Sequence, residues 1–317
     1  MEDGTTAAKR GLDPNAAAVL AQVGRRVVGK QDAALAIVCA VLAGGHILIE
    51  DVPGIGKTLL AKSVAQALDL RFCRIQATSD LLPSDVVGVH IYDPQERTFA
   101  FRPGPIFSEL LLVDELNRAS PRAQSALLEA MEEGQATVEG RSYPLPEPFV
   151  VLATQNPFEH EGTFPLPLSE LDRFLFRLHL DYPSAEEEDL LLDRFGAELR
   201  PEPLAPVLSR AQVLELRESA LATHVAPPVR AYVHAIVRAT RTHPDVLLGA
   251  SPRSGVLLLR AARAWAFLHG REHVLPDDVR TLLPWVLGHR LRCRTLRPDE
   301  CLDAIVSALP LPRAARP

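Results

Sequence analysis

Gly54, Ile55, Gly56, Lys57 and Thr58 stand in a row whose residue types suit a bound anion. Glycines lack the Cβ that would keep backbone N–H groups from closing around phosphate oxygens. A helix starting there adds the positive end of its dipole. Lys57 brings a point charge for β- and γ-phosphates, and Thr58 a hydroxyl suited to Mg²⁺. The full pattern asks for glycine five residues before Gly56, where this chain has Asp51. Asp114 and Glu115 make a second candidate pair, directly after the apolar residues 110–113. Asp114 would hold the metal through water, and Glu115 would polarise an attacking water as general base. A third apolar run, residues 150–153, ends in Thr154, Gln155 and Asn156. An asparagine beside Glu115 could orient that water and sense the γ-phosphate, although polar residues also end strands simply as turn formers.

Two arginines have unusual settings. Arg173 lies just before an apolar segment, and Arg253 follows Ser251 and Pro252 in the first turn of an expected helix. The helix dipole disfavours a cation there, which points to an anionic partner. For either arginine alone, a surface ion pair is the commoner explanation. His160 and Glu161 lack further ligands at metal spacing, and no metal is expected there.

These residues need strands and helices to position them. Residues 46–50 read as a short buried strand, and residues 58–70 return to helical period, so the glycine turn joins strand to helix. Residues 72–75, 110–113, 149–154 and 175–180 read as further strands. Hairpins are expected at 89–102 and at 136–143, the second turning at Glu139 and Gly140. Ser120 and Pro121 open a helix that Gly134 ends. Strands alternating with helices predict an α/β fold with a parallel sheet. Beyond residue 184 everything reads as helix, over 185–195, 209–223, 227–242, 252–269, 276–290 and 299–308. The expected organisation is a disordered tail over 1–15, an α/β core over 16–183 and an all-helical domain over 184–317.

The chain has 317 residues, 47 % apolar and 23 % charged, with a net charge of −6 and a pI near 5.9. The acidic balance argues against a general nucleic-acid surface, and no apolar run reaches the length of a membrane span. Cys39, Cys73, Cys293 and Cys301 show no zinc spacing and read as reduced, buried thiols of a cytoplasmic protein.

The whole order resembles the AAA+ ATPases, and specifically the MoxR family. The segments that carry the resemblance are IEDVPGIGKT, RIQATSDLLPSDVVG, PGPIF, LLLVDELNRASPRAQSALLEAMEEGQATVEG, ATQNPF, GTFPLP, LDRF and GASPR. They imply an AAA+ P-loop domain followed by a helical lid, with ATP and Mg²⁺ as ligands. On this resemblance Asp51 is no defect, and the nucleotide is contacted by Asp51, Val52, Pro53, Gly54, Ile55, Gly56, Lys57, Thr58 and Leu59. Val28 and Gly29 match the segment that packs on adenine. Asn156 matches the first sensor, Arg173 the arginine finger given to a neighbouring subunit, and Arg253 the second sensor. The two hairpins resemble insertions directed towards pore and partner. Leu168 departs from the family, whose members usually have an acid there.

The resemblance further implies a homo-oligomer, expected to be a hexameric ring, acting in a chaperone-like way on a protein client. A von Willebrand factor A domain protein is the expected companion. The residues themselves leave other readings open: an ATP-switched scaffold, a chelatase-like subunit, or a nucleic-acid motor.

Overall fold

The structure, a computed structural model, describes residues 11–50, 54–156, 162–196 and 203–312. Helix α1 (Pro14–Gly24) takes in the last two residues of the expected tail. Asp13 explains this, because its carboxylate accepts the N–H groups of Asn15 and Ala16 at 2.9 and 3.4 Å, and Pro14 presets the first helical φ. Residues 1–10 of that tail lie outside the described residues. Helix α2 (Gln31–Ala43) is buried from Ala34 to its end, and Gly44 closes it in the left-handed conformation.

The chain then alternates. Strand β1 (His46–Glu50) leads to α3 (Lys57–Ala67), β2 (Phe72–Gln76) and the short α4 (Pro83–Val87). The hairpin β3 (Gly88–Asp93) and β4 (Thr98–Pro103) precedes β5 (Leu110–Asp114) and α5 (Pro121–Glu133). A second hairpin, β6 (Gln135–Val138) and β7 (Arg141–Pro144), precedes β8 (Val150–Gln155), α6 (Leu168–Leu171) and β9 (Phe174–Leu178).

Five of these strands form one sheet in the order β2-β5-β8-β1-β9, with every pair parallel. Side chains alternate across it, as the two-residue strand period requires. Ile47, Ile49, Leu110, Leu112, Val150 and Leu152 enter one core with α1, α2 and α3. Leu48, Leu111, Val113, Val151 and Ala153 enter another with α4 and α5. Both faces are covered, which is why the strands read as continuous apolar runs. Each of the valines, leucines and isoleucines among them contributes about 1.5–3 kcal/mol on burial.

Helices α7 (Ala185–Phe195), α8 (Arg210–Ala222) and α9 (Pro227–Thr240) follow. The last segment is not all helix. Strand β10 (Val246–Leu248) precedes α10 (Pro252–Leu268) and α11 (Pro276–Leu287), then pairs antiparallel with β11 (Arg292–Cys293) before α12 (Pro298–Ala308). The Asp245 carboxylate makes this ribbon by gathering the Thr295 hydroxyl at 2.5 Å and the Leu296 N–H at 2.9 Å. Those bonds, the Thr295 one foremost, hold its pKa down at about 2. Strands this short leave no periodicity to read. Helices α8 and α10 pack on α2, and α11 lies against β9, where Trp285 meets Phe176 edge-on at 5.7 Å.

No helix among the described residues is long and apolar enough to cross a membrane. Cys39 and Cys301 are buried, whereas Cys73 and Cys293 are only half-buried, and all four thiols are free. The expectation that all four are buried is corrected accordingly.

Candidate nucleotide site

The sheet register brings Gln76, Asp114, Glu50 and Gln155 to one edge, the carboxyl ends of the strands. Ligands of open α/β sheets bind at that edge. A cleft of about 370 Å³ opens there, lined by Gly54, Gly56, Lys57, Thr58, Leu59, Arg74, Gln76, Asp114, Glu115, Thr154, Gln155 and Asn156. The phosphate turn, the carboxylate pair and the asparagine, far apart in sequence, therefore share one cavity. Ile55 sits beneath the turn, buried in the first core. Asp51, Val52 and Pro53 lie outside the described residues, as do His160 and Glu161.

The residues present fit a magnesium-bound nucleotide. Gly54 and Gly56 both have φ of +88°, and a Cβ on either would project into open space rather than onto protein. Side chains there would be strained and would intrude on the cleft. Helix α3 begins at Lys57 with no side-chain cap, leaving its first N–H groups directed to the cleft.

Asp114 and Glu115 are held from several sides. Arg74 Nε donates to Asp114 Oδ2 at 2.6 Å, and Gln76 Nε2 to Glu115 Oε2 at 2.8 Å. Arg118 also faces Glu115, at 3.3 Å. Thr154 Oγ1 accepts the Glu115 N–H at 2.9 Å and donates to Asp114 Oδ1 at 3.4 Å. Glu115 itself has φ of +57°, a left-handed conformation that costs a non-glycine residue on the order of 1–2 kcal/mol. The strand therefore turns sharply at Glu115, which puts its carboxylate in the cleft instead of in the next strand residue's place.

Arg74, Gln76 and Thr154 carried no function in the sequence reading. Their signal lies in register: β2 and β8 flank β5, so their last residues must surround its acids. Strand β2 runs one residue beyond its expected end, to Gln76.

Val28 and Gly29 line a neighbouring cleft of about 700 Å³ with Lys30, His179, Asp181, Tyr182 and Glu187. Gly29 has φ of +71°, and a Cβ there would stand 2.4 Å from the Glu187 side chain. Ser184 and Glu187 close a capping box at the start of α7, which fixes that carboxylate beside Gly29.

Neither arginine reaches the phosphate cleft. Arg173 precedes Phe174, which pairs with His46 at the first residue of β1, whereas the glycine turn follows its last. The four residue steps of β1 put about 13 Å between those edges. There Arg173 Nε lies 3.2 Å from Glu132 Oε2 near the end of α5, and Arg253 pairs with the other oxygen of the same carboxylate. The Arg253 bond foremost, and then both positive charges, lower the Glu132 pKa. The anionic partner expected for Arg253 is thus, within one chain, Glu132.

Comparison with known proteins agrees with this architecture. The family described as "ATPase family associated with various cellular activities (AAA)" matches residues 46–176, and the AAA lid domain matches residues 238–309. A parallel sheet with a phosphate turn, followed by a lid, defines the AAA+ class. The chain is 45 % identical to the uncharacterized protein YeaC of Bacillus subtilis, over 93 % of this chain and 91 % of that one. It is 38 % identical to Chaperone MoxR1 of Mycobacterium tuberculosis, over 92 % of this chain and 81 % of that one. A crystal structure of a candidate ATPase from Cytophaga hutchinsonii superimposes with a TM-score of 0.89 at 36 % identity, covering 94 % of this chain and 95 % of the other. The chain belongs to the MoxR family of AAA+ ATPases.

Proposed function

We propose that this chain hydrolyses ATP at the interfaces of a ring of its own copies and uses the cycle to remodel a client protein. The observation that carries the reading is the convergence of Arg173 and Arg253 on Glu132, at the sheet edge opposite the phosphate cleft. Two guanidinium groups placed together suit a phosphate, and their own chain's phosphates would be out of reach. A second copy would bring its cleft to them.

In this reading the glycine turn, Lys57 and the start of α3 hold the phosphates, and Val28 and Gly29 flank the base. Thr58 and Asp114 would hold Mg²⁺, which when bound neutralises phosphate charge. Glu115 draws the proton from the attacking water, and Asn156 orients that water. Arg173 and Arg253 of the adjacent copy stabilise charge developing on the transferred phosphoryl group. Residues 16–183 form the nucleotide-binding unit and residues 184–317 the lid. The relative MoxR1 is named a chaperone, which supports a client protein as the object of the cycle.

Two inactive variants test the reading. Arg173→Ala should bind ATP with unchanged affinity and lose on the order of 10³-fold in turnover. Glu115→Gln should bind ATP and fail to hydrolyse it. Mixing the two should restore phosphate release, because Glu115→Gln chains lend their arginines to intact sites. Mixtures as inactive as their parts would remove the shared site.

A further inference from the structure

The half-buried Asp172 and the buried Arg290 link the two arginines. Asp172 immediately precedes Arg173, and its carboxylate accepts the hydroxyls of Ser251 at 3.0 Å and Ser254 at 3.4 Å. Those serines flank Arg253 in the first turn of α10, where Ser251 is also the N-cap. Arg290, only 6 % exposed, donates Nε to Asp172 Oδ1 at 2.6 Å and Nη2 to the carbonyls of Asp172 at 3.0 Å and Phe174 at 2.6 Å. It also donates to the Val286 carbonyl at the end of α11. Burial lowers the Arg290 pKa and the Asp172 bond opposes that shift. One buried cation therefore ties the loop carrying Arg173, the helix carrying Arg253 and the end of α11 into a single network.

An exposed ion pair would not fix such geometry, because water screens it and its side chains move. A buried charge whose partner is removed leaves its environment strongly destabilised, so the network holds one arrangement. Glu132 then receives both cations from this fixed frame, one on each oxygen.

We infer that Asp172 and Arg290 are positioning residues that fix Arg173 and Arg253 as one unit, to be presented together to the nucleotide of the adjacent copy. The inference rests on the shared-site reading above. It adds that the lid and the Arg173 loop act on the neighbouring site jointly, so a lid displacement withdraws both cations at once.

The mixing assay separates the two claims. Acceptor chains carry Arg173→Ala with Arg253→Ala and keep an intact hydrolytic cleft. Donor chains carry Glu115→Gln and supply only arginines. Rescue by the plain donor establishes the shared site, and absence of that rescue overturns the shared site and this inference with it. A donor that also carries Asp172→Asn should rescue at least about tenfold less in kcat, with the acceptor's KM for ATP unchanged, as expected for misplaced catalytic groups.

The Asp172→Asn chain with an intact Glu115 should serve normally as an acceptor beside plain donors. A general folding defect would impair both roles, so this asymmetry distinguishes positioning from structural support. Should Asp172→Asn not fold, Ser251→Ala removes the shorter of the two α10 bonds to Asp172, and the same asymmetry is expected with a smaller loss. Equal rescue by plain and altered donors, or equal impairment as donor and acceptor, overturns the inference while leaving the shared site standing.

Discussion

His46 shows how tightly one side chain can be held at the start of β1. Its Nε2 faces the Met131 carbonyl at 3.1 Å, and its Nδ1 accepts the Val151 N–H at 3.1 Å. Both nitrogens are thereby used by the neutral ring, and a second proton would face a donor. Burial pushes its pKa down to about 4. The unfolded chain, with an ordinary histidine near 6.5, takes up the proton first. The contribution of His46 is therefore complete above about pH 6.5 and is lost as pH falls towards 4, by up to on the order of 3 kcal/mol. Urea midpoints at pH 7 and pH 4.5 should differ markedly less in His46→Gln than in the native chain. Matching pH dependences would show that another group carries the acid sensitivity. Nothing in the sequence marks this histidine, since its partners sit on α5 and β8. Lys57 and Glu115 were legible because their chemistry depends on immediate neighbours, a glycine turn and an apolar run.

Between elements, Thr154 is the pin that joins β8 to β5. The register sets Val113 beside Ala153, so the next residue of β8 falls against the turn at Glu115. Thr154→Val keeps the shape and removes the oxygen that receives the Glu115 N–H. An orphaned buried donor costs about 1–3 kcal/mol, and the freed turn should lower turnover more than ATP affinity. Denaturant unfolding together with separate measurements of kcat and nucleotide affinity checks both parts. A variant as stable and as active as the native chain would show that water satisfies that N–H equally well. The sequence predicted a polar tip on β8 but drew attention to Asn156, because which tip residue meets Glu115 depends on strand alignment. The β10–β11 ribbon was hidden for a related reason. Its strands are short, and their pairing depends on Asp245 contacting residues some fifty positions away. The core strands were legible because covered faces leave uninterrupted apolar runs in the chain.

At the scale of the whole molecule, the proposed completion of the site by a second copy would make activity a property of the assembly. Turnover per chain should rise steeply with chain concentration and then level off, while ATP affinity at Lys57 changes little. Turnover independent of concentration down to the monomer, verified by light scattering, would argue for a self-sufficient chain. At concentrations where assembly is complete, a von Willebrand factor A domain companion should raise turnover, and an unchanged rate would remove it as a regulator. The sequence order suggested the arginines, but their meeting on Glu132 needed β9, α5 and α10 in place together. The pairing of β1 with β9 has a geometric consequence for such a ring. One end of this strand pair carries the phosphate turn, and the other carries Arg173. In a closed ring the sheet would then be a strut of fixed length between consecutive catalytic centres. A tilt of one subunit by a few degrees would shift its phosphates and its arginines in opposite directions. Each subunit would work as a lever with its fulcrum in the sheet, passing a small rotation at one nucleotide to the next.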